Sequence, residues 1–326
     1  MQRRTSLLFI TALAGLAASG LNPARAAETR ELRTVVPFPP GGGGDVLART
    51  VVEGMVKASG INLWVQNKPG AGGSIGTGQV AKAEPADETI GYVTNGIMCV
   101  NAHLHGNRGY DPLTDLKPIG RLSTLGLLMV LNDKAVPGVT DFKSLVAYAK
   151  KHPGALAYGS AGVGTTSHLA GSALSTALGI DLNHIPHAGG AASMMEVLAG
   201  RVPFMIDVMP NALPHAKSGR LKALAVTTPA RSPLLPDVPT MAELGAEGAG
   251  IYAWDGFVAP LGMPDTEVAE LNRALQAALA DPQVKARLTK MGAVAEPGTP
   301  EDFAAFIKSE TPKWRDLVKA VKATAD

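Results

Sequence analysis

The sequence predicts an α/β protein of about two domains, each a mostly parallel sheet flanked by helices. Strand-like and helix-like segments alternate from Leu32 onward, the rhythm of βαβ units. Two glycine-rich turns, about 120 residues apart, each join a strand to an amphipathic helix. A chain of 326 residues at 46% hydrophobic composition can also bury a large core.

The first 26 residues stand apart from that pattern. Arg3 and Arg4 precede an apolar run from Leu7 to Gly20, and Ala24-Arg25-Ala26 forms an A-x-A site, so a secretory signal cleaved after Ala26 is expected. The run falls short of the roughly 20 apolar residues of a membrane span. Of the 30 basic residues three lie in this leader, and the remainder nearly balance the 28 acidic ones. Near neutrality, with no basic run, gives no argument for nucleic acid. Cys99 is the single cysteine and excludes an intrachain disulfide.

The first turn unit is Val35 to Met55. A β-branched run stops at Pro39-Pro40, four glycines follow, and Leu47, Val51 and Met55 then recur every four residues as a helix's buried stripe. Asp45 sits where a carboxylate would cap that helix. Strand-to-helix turns of this kind aim backbone N–H groups and the positive end of a helix dipole at one point, which suits an anion.

Strands are expected at Leu63–Gln66 and Ile90–Thr94 around a helix at Ser74–Ala83. An apolar strand, Leu125–Leu131, then precedes a helix capped by Thr140 and running to Lys151. The second turn unit follows: Ala155–Tyr158, the loop 159–164, N-caps at Thr165 and Thr166, and a stripe at Leu169, Ala173 and Ala177. Further strands are expected at Leu182–Pro186, Val202–Asp207 and Leu221–Thr227, with a helix through Met194, Met195 and Leu198. The proline-rich run 229–239 reads as an ordered surface connection and Ile251–Pro260 as a long extended crossover. Helices at 264–280, 282–291, 300–309 and 312–323 close the chain, Thr299-Pro300 and Thr311-Pro312 each placing a capping hydroxyl before a proline.

Enzyme signatures are weak. Gly72-Gly73-Ser74-Ile75-Gly76 matches G-x-S-x-G, but a loop and not a strand precedes it. Neither glycine turn fits a dinucleotide fingerprint or carries a Walker lysine. The pairs His103-x-His105 and His184-x-x-His187 lack acidic or thiolate partners for a metal. No cofactor and no metal are expected. What remains is two amide-rich turns that could grip a carboxylate from both sides without an arginine.

The residues also carry a specific resemblance. Val36-Pro37 with Pro40-Gly41-Gly42-Gly43-Gly44-Asp45, Asn67-Lys68-Pro69-Gly70-Ala71-Gly72-Gly73, Tyr110-Asp111-Pro112, Tyr158-Gly159-Ser160 through His168-Leu169-Ala170, and Gly219-Arg220-Leu221-Lys222-Ala223-Leu224-Ala225-Val226 lie in order along the chain. They resemble the solute-binding proteins of tripartite tricarboxylate transporters, the Bug or TctC family. The resemblance implies a two-lobed, Venus-flytrap periplasmic binding protein that is not an enzyme. Lobe one would be about 27–124 plus 252–326 and lobe two 125–251. It implies a monomer that captures a small carboxylate and passes it to membrane permease subunits. The binding residues it implies are Phe38, Pro39, Gly41, Gly42, Gly43 and Asp45, then Ser160, Gly164, Thr165, Thr166 and His168. Thr94, Asn95, His187, Ala188, Gly189 and Asp207 are expected as walls. His168 is also expected to pack at a helix start and bond the loop, Trp254 to be core, and Asp207 either to cap a helix or to meet a cationic group. The chain departs from the family's usual pattern at Gly96-Ile97-Met98-Cys99 and at His187-Ala188, which bears on ligand choice. A periplasmic sensory partner of a membrane protein is the alternative function, and a secreted hydrolase using Ser74 a third.

Overall fold

The computed structural model describes residues 31–104 and 109–323. The leader with its cleavage site, and His105, lie outside them. The first elements are β1 (Glu31–Val36), α1 (Gly43–Ser59), β2 (Asn62–Asn67), α2 (Ser74–Ala81), β3 (Thr89–Thr94), α3 (Asn101–Leu104) and β4 (Leu116–Leu131). There follow α4 (Phe142–Lys151), β5 (Leu156–Ser160), α5 (Thr166–Leu178), β6 (Leu182–Pro186), α6 (Gly190–Leu198), β7 (Phe204–Val208), α7 (Met209–Lys217) and β8 (Lys222–Val226). The chain closes with β9 (Tyr252–Pro260), α8 (Asp265–Ala280), α9 (Pro282–Lys290), β10 (Ala293–Ala295) and α10 (Pro300–Ala320).

Ten strands form one sheet in the order β2-β1-β3-β9-β4-β7-β5-β6, with β10 and β8 also paired to β4. Pairing is parallel toward both edges, where β1 joins β2 and β3 and β5 joins β6 and β7. At the centre β9 and β4 run antiparallel to their neighbours. The reason is topological: these two strands carry the chain between the halves of the sheet without a crossover helix, the connection that parallel pairing needs. Along Leu116–Gly126 β4 pairs with β9; along Leu127–Leu131 it pairs with β7 and β8. The last β4–β9 rung is Gly126 opposite Tyr252.

Several elements differ from the sequence pattern. β4 begins nine residues before the expected Leu125, because Lys117, Pro118 and Arg121 interrupt its apolar pattern. Those cations are accommodated at its edges, Lys117 on Asp265 and Arg121 on Glu296 and over the Phe306 ring. Asp141, not Thr140, caps α4: its carboxylate accepts from the Ser144 N–H at 2.7 Å and Ser144 bonds back. The two closing helices are one, α10, with Pro312 inside it. The Thr311 hydroxyl, expected as a cap, bonds back to the Ile307 carbonyl at 2.8 Å. α7 was hidden by Pro210 and Pro214, which propensity alone scores against a helix.

Packing around α5 is tight enough to test. A Cβ on Gly171 would lie 2.0 Å from Cε2 of Tyr158, whose ring is buried and whose hydroxyl meets the His168 carbonyl and Ser172. Gly171→Ala gains helix propensity but must displace that ring. A net loss of about 1–3 kcal/mol in urea unfolding is expected, the range of overpacked cores; an unchanged midpoint would refute the contact.

Candidate functional site

One cavity, holding about 630 Å³ of empty space with its mouth included, lies where the two halves of the sheet meet. Phe38, Pro39 and Gly42–Gly44 line it from the first turn, and Ala161 and Thr165–Ser167 from the second. Tyr92, Thr94 and Asn95 at the end of β3, Gly190, Asp207 and Val208, and Ala253–Asp255 complete the wall.

Four helices begin at this wall. The N-caps are Gly42 for α1, Thr165 for α5, Gly189 for α6 and Val208 for α7, and none caps its helix with its own side chain. By contrast Asp141, Asp281 and Thr299 cap α4, α9 and α10 away from the cavity. Uncapped starts also occur at α2 and α8, outside the wall. Four positive dipole ends on one cavity are features that suit an anion; the wall contains neither lysine nor arginine, but does contain the carboxyls of Asp207 and Asp255.

Each turn is held by its own sequence. Asp45 stands three residues past the N-cap, so it caps from behind: its carboxylate accepts from the Gly41 N–H at 2.9 Å, from Asn67 Nδ2 at 2.7 Å and from Arg49. Asn67 also donates to the Phe38 carbonyl at 2.9 Å. Burial pushes the Asp45 carboxyl up, but the bonds from Asn67, Arg49 and Gly41 outweigh it and hold it below the usual range. In the second turn Ser167 Oγ accepts from the Ala161 N–H, His168 Nδ1 from the Gly164 N–H, and Thr165 donates to the Gly162 carbonyl at 2.6 Å. Ser160 meets His184 Nε2 at 2.6 Å. His184 stacks on His168, ring centroids 4.1 Å apart, and is lowered to about 3 by burial and then by His168 and His187. It therefore stays neutral.

Of the residues expected at the site, Phe38, Pro39, Gly42, Gly43, Thr94, Asn95, Thr165, Thr166 and Asp207 line the cavity. Asp45, Ser160, Gly164 and His168 stand behind it and fix the turns. Gly41 and Ala188 are exposed, His187 is half-buried, and Gly189 packs on Pro39 beside the mouth. Trp254 is fully buried against Phe303 and Phe306, yet also borders the cavity.

Sequence reasoning missed Asp255 and its hydrogen-bonded partner Tyr92. Asp255 accepts from the Tyr92 hydroxyl at 2.6 Å and from the Ser123 N–H and hydroxyl. Its signal was a charge inside an otherwise apolar strand, where carboxylates are rarely buried. Asp207 accepts from Asn211 Nδ2 at 2.6 Å and from the Val208 N–H. Burial raises both Asp207 and Asp255 to about 6, against the hydrogen bonds that favour their charged forms.

The hydrolase and metal readings find no matching geometry. Ser74 follows a short 3-10 turn, not a strand, and accepts from Asn101. Among the described residues no three His, Cys, Asp or Glu gather as a metal site, and no helix is long and apolar enough to cross a membrane.

The profile of the tripartite tricarboxylate transporter family receptor (TctC) matches residues 47–323. A solved periplasmic binding protein, BugD, superposes with a TM-score of 0.85 at 37% identity, over 90% of this chain and 98% of its own. Rpa4515 of R. palustris, solved with adipate, gives 0.86 at 32% identity over 91% and 99%. MatC of Rhodopseudomonas palustris, solved with malate, gives 0.83 at 31% over 89% and 99%. The chain thus has the α/β fold of periplasmic binding proteins, and it belongs to the TctC (Bug) family of periplasmic solute-binding proteins.

Proposed function

We propose that this protein captures a small carboxylate in the cavity and delivers it to the membrane permease of a tripartite tricarboxylate transporter. The observation that carries the reading is the convergence of four uncapped helix starts on one cavity without a basic side chain. Backbone N–H groups recognise a carboxylate without neutralising it, so the guest can be released intact. Two related structures, solved with adipate and with malate, support the same chemistry. A dicarboxylate, an aromatic acid or an acidic amino acid is the class that fits. The lobes we assign are 27–124 with 252–326, and 125–251, and their closure on the guest is a hinge motion.

A thermal-shift screen of small carboxylates tests the reading. A guest present at 100 times its dissociation constant stabilises the folded form by about 2.7 kcal/mol, so at least one acid should raise the melting temperature by several degrees. A screen in which malate, adipate, benzoate and glutamate all leave it unmoved would overturn the carboxylate assignment.

A further inference from the structure

Asn95 stands at the end of β3, is fully buried, and lines the cavity. Its Oδ1 accepts a hydrogen bond of 2.9 Å from the hydroxyl of Thr166, the first residue of α5. That bond joins the half of the sheet holding β1–β3 to the half holding β5–β7. Its Nδ2 is buried with no hydrogen-bond partner among the described residues. The next residue brings the backbones together at the same place: a Cβ on Gly96 would lie 2.7 Å from the Gly164 carbonyl oxygen.

An amide whose acceptor end is engaged and whose donor end is buried and unpaired carries a desolvation cost that a guest oxygen can remove. We propose that Asn95 couples recognition to closure, its Nδ2 donating to a carboxylate oxygen of the guest while its Oδ1 holds Thr166 of the opposite half. The assignment rests on the carboxylate-binding reading above and gives it a specificity-determining residue. Because one planar group makes both contacts, the orientation that serves the guest is the one fixed by Thr166. A guest that lacks an acceptor at that position leaves the amide unpaired in the closed form.

Two variants separate the ends of the amide. Asn95→Asp keeps the shape and the acceptor for Thr166 but replaces the donor with a second acceptor, so affinity for malate or adipate should fall at least about 100-fold. Thr166→Val keeps the donor and removes the bond across the cavity; a loss of about tenfold is expected, chiefly as faster dissociation. The double variant should lose less than the product of the two, the signature of coupled residues. Calorimetry and stopped-flow on the purified protein read these quantities, and circular dichroism checks folding. Wild-type protein that binds neither acid would overturn the carboxylate reading itself. Wild-type binding matched by Asn95→Asp would overturn this proposal alone, as would a Thr166→Val dissociation rate equal to wild type. Should Asn95→Asp fail to fold, the Thr166→Val rate decides.

Discussion

Replacing Gly42 with aspartate is expected to leave a folded protein that has lost its affinity for carboxylates. Gly42 is the N-cap of α1 with φ −76° and ψ 165°, a conformation open to any L-residue. A Cβ there would meet nothing nearer than the Pro39 carbonyl oxygen at 3.7 Å and the Ala191 nitrogen at 3.8 Å. Aspartate is among the preferred N-caps, contributing about 1 kcal/mol over a non-capping residue. Its carboxylate would also lie within reach of the Ala191 N–H at the start of α6. The side chain then acts as a tethered anion that occupies the helix starts and repels a second negative charge. Affinity by calorimetry should drop by about 1,000-fold or more, with a melting temperature equal to or above wild type. Unchanged affinity would remove the anion site from consideration.

Binding and stability should both depend on pH through Asp207 and Asp255. Each carboxyl is raised from 3.8 to about 6 in the folded protein. Below about pH 4 the proton is held in both the folded and unfolded chain, and burial of these groups costs little. As pH rises from about 4 to 6 the unfolded chain ionises first, so the contribution of each group to stability is progressively lost. Above that range the full penalty, about 3 kcal/mol per group at 1.36 kcal/mol per pKa unit, is in place. A negative guest in the same cavity pushes both carboxyls further up, so binding near neutrality takes up protons. Affinity should weaken between pH 5.5 and 8, by up to about tenfold per pH unit for each coupled group.

Asp207→Asn preserves the shape and the acceptor for Asn211 while removing one charge. It should raise stability at pH 7 by about 1–3 kcal/mol and flatten the pH profile of binding. A wild-type affinity that is level across that range would show that neither carboxyl senses the guest.

The two turns were legible because strand, glycines and helix are contiguous there. Asp45 was legible as a helix-start acid, although its position past the N-cap makes it a brace for the Gly41 amide. Asp255 and Tyr92 were not legible as a pair. They meet only because β3 and β9, 163 residues apart at this contact, are neighbours in the sheet. The same distance in sequence hid the antiparallel centre, since local periodicity records which face is buried and says nothing of which strand lies alongside. Where prolines stand inside helices, at Pro214 and Pro312, tertiary packing overrode a correct local expectation.

Gly126 and Tyr252 lie side by side on the rung where the chain passes between the halves in both directions. Two strands bonded along one line resist sliding and stretching more than twist, so the hinge motion proposed above would be a swing about a single pin. On that proposal, a guest of a few atoms would be expressed as an angle between two broad surfaces. The permease proposed above would read that angle at the rim of the molecule without ever touching what lies inside.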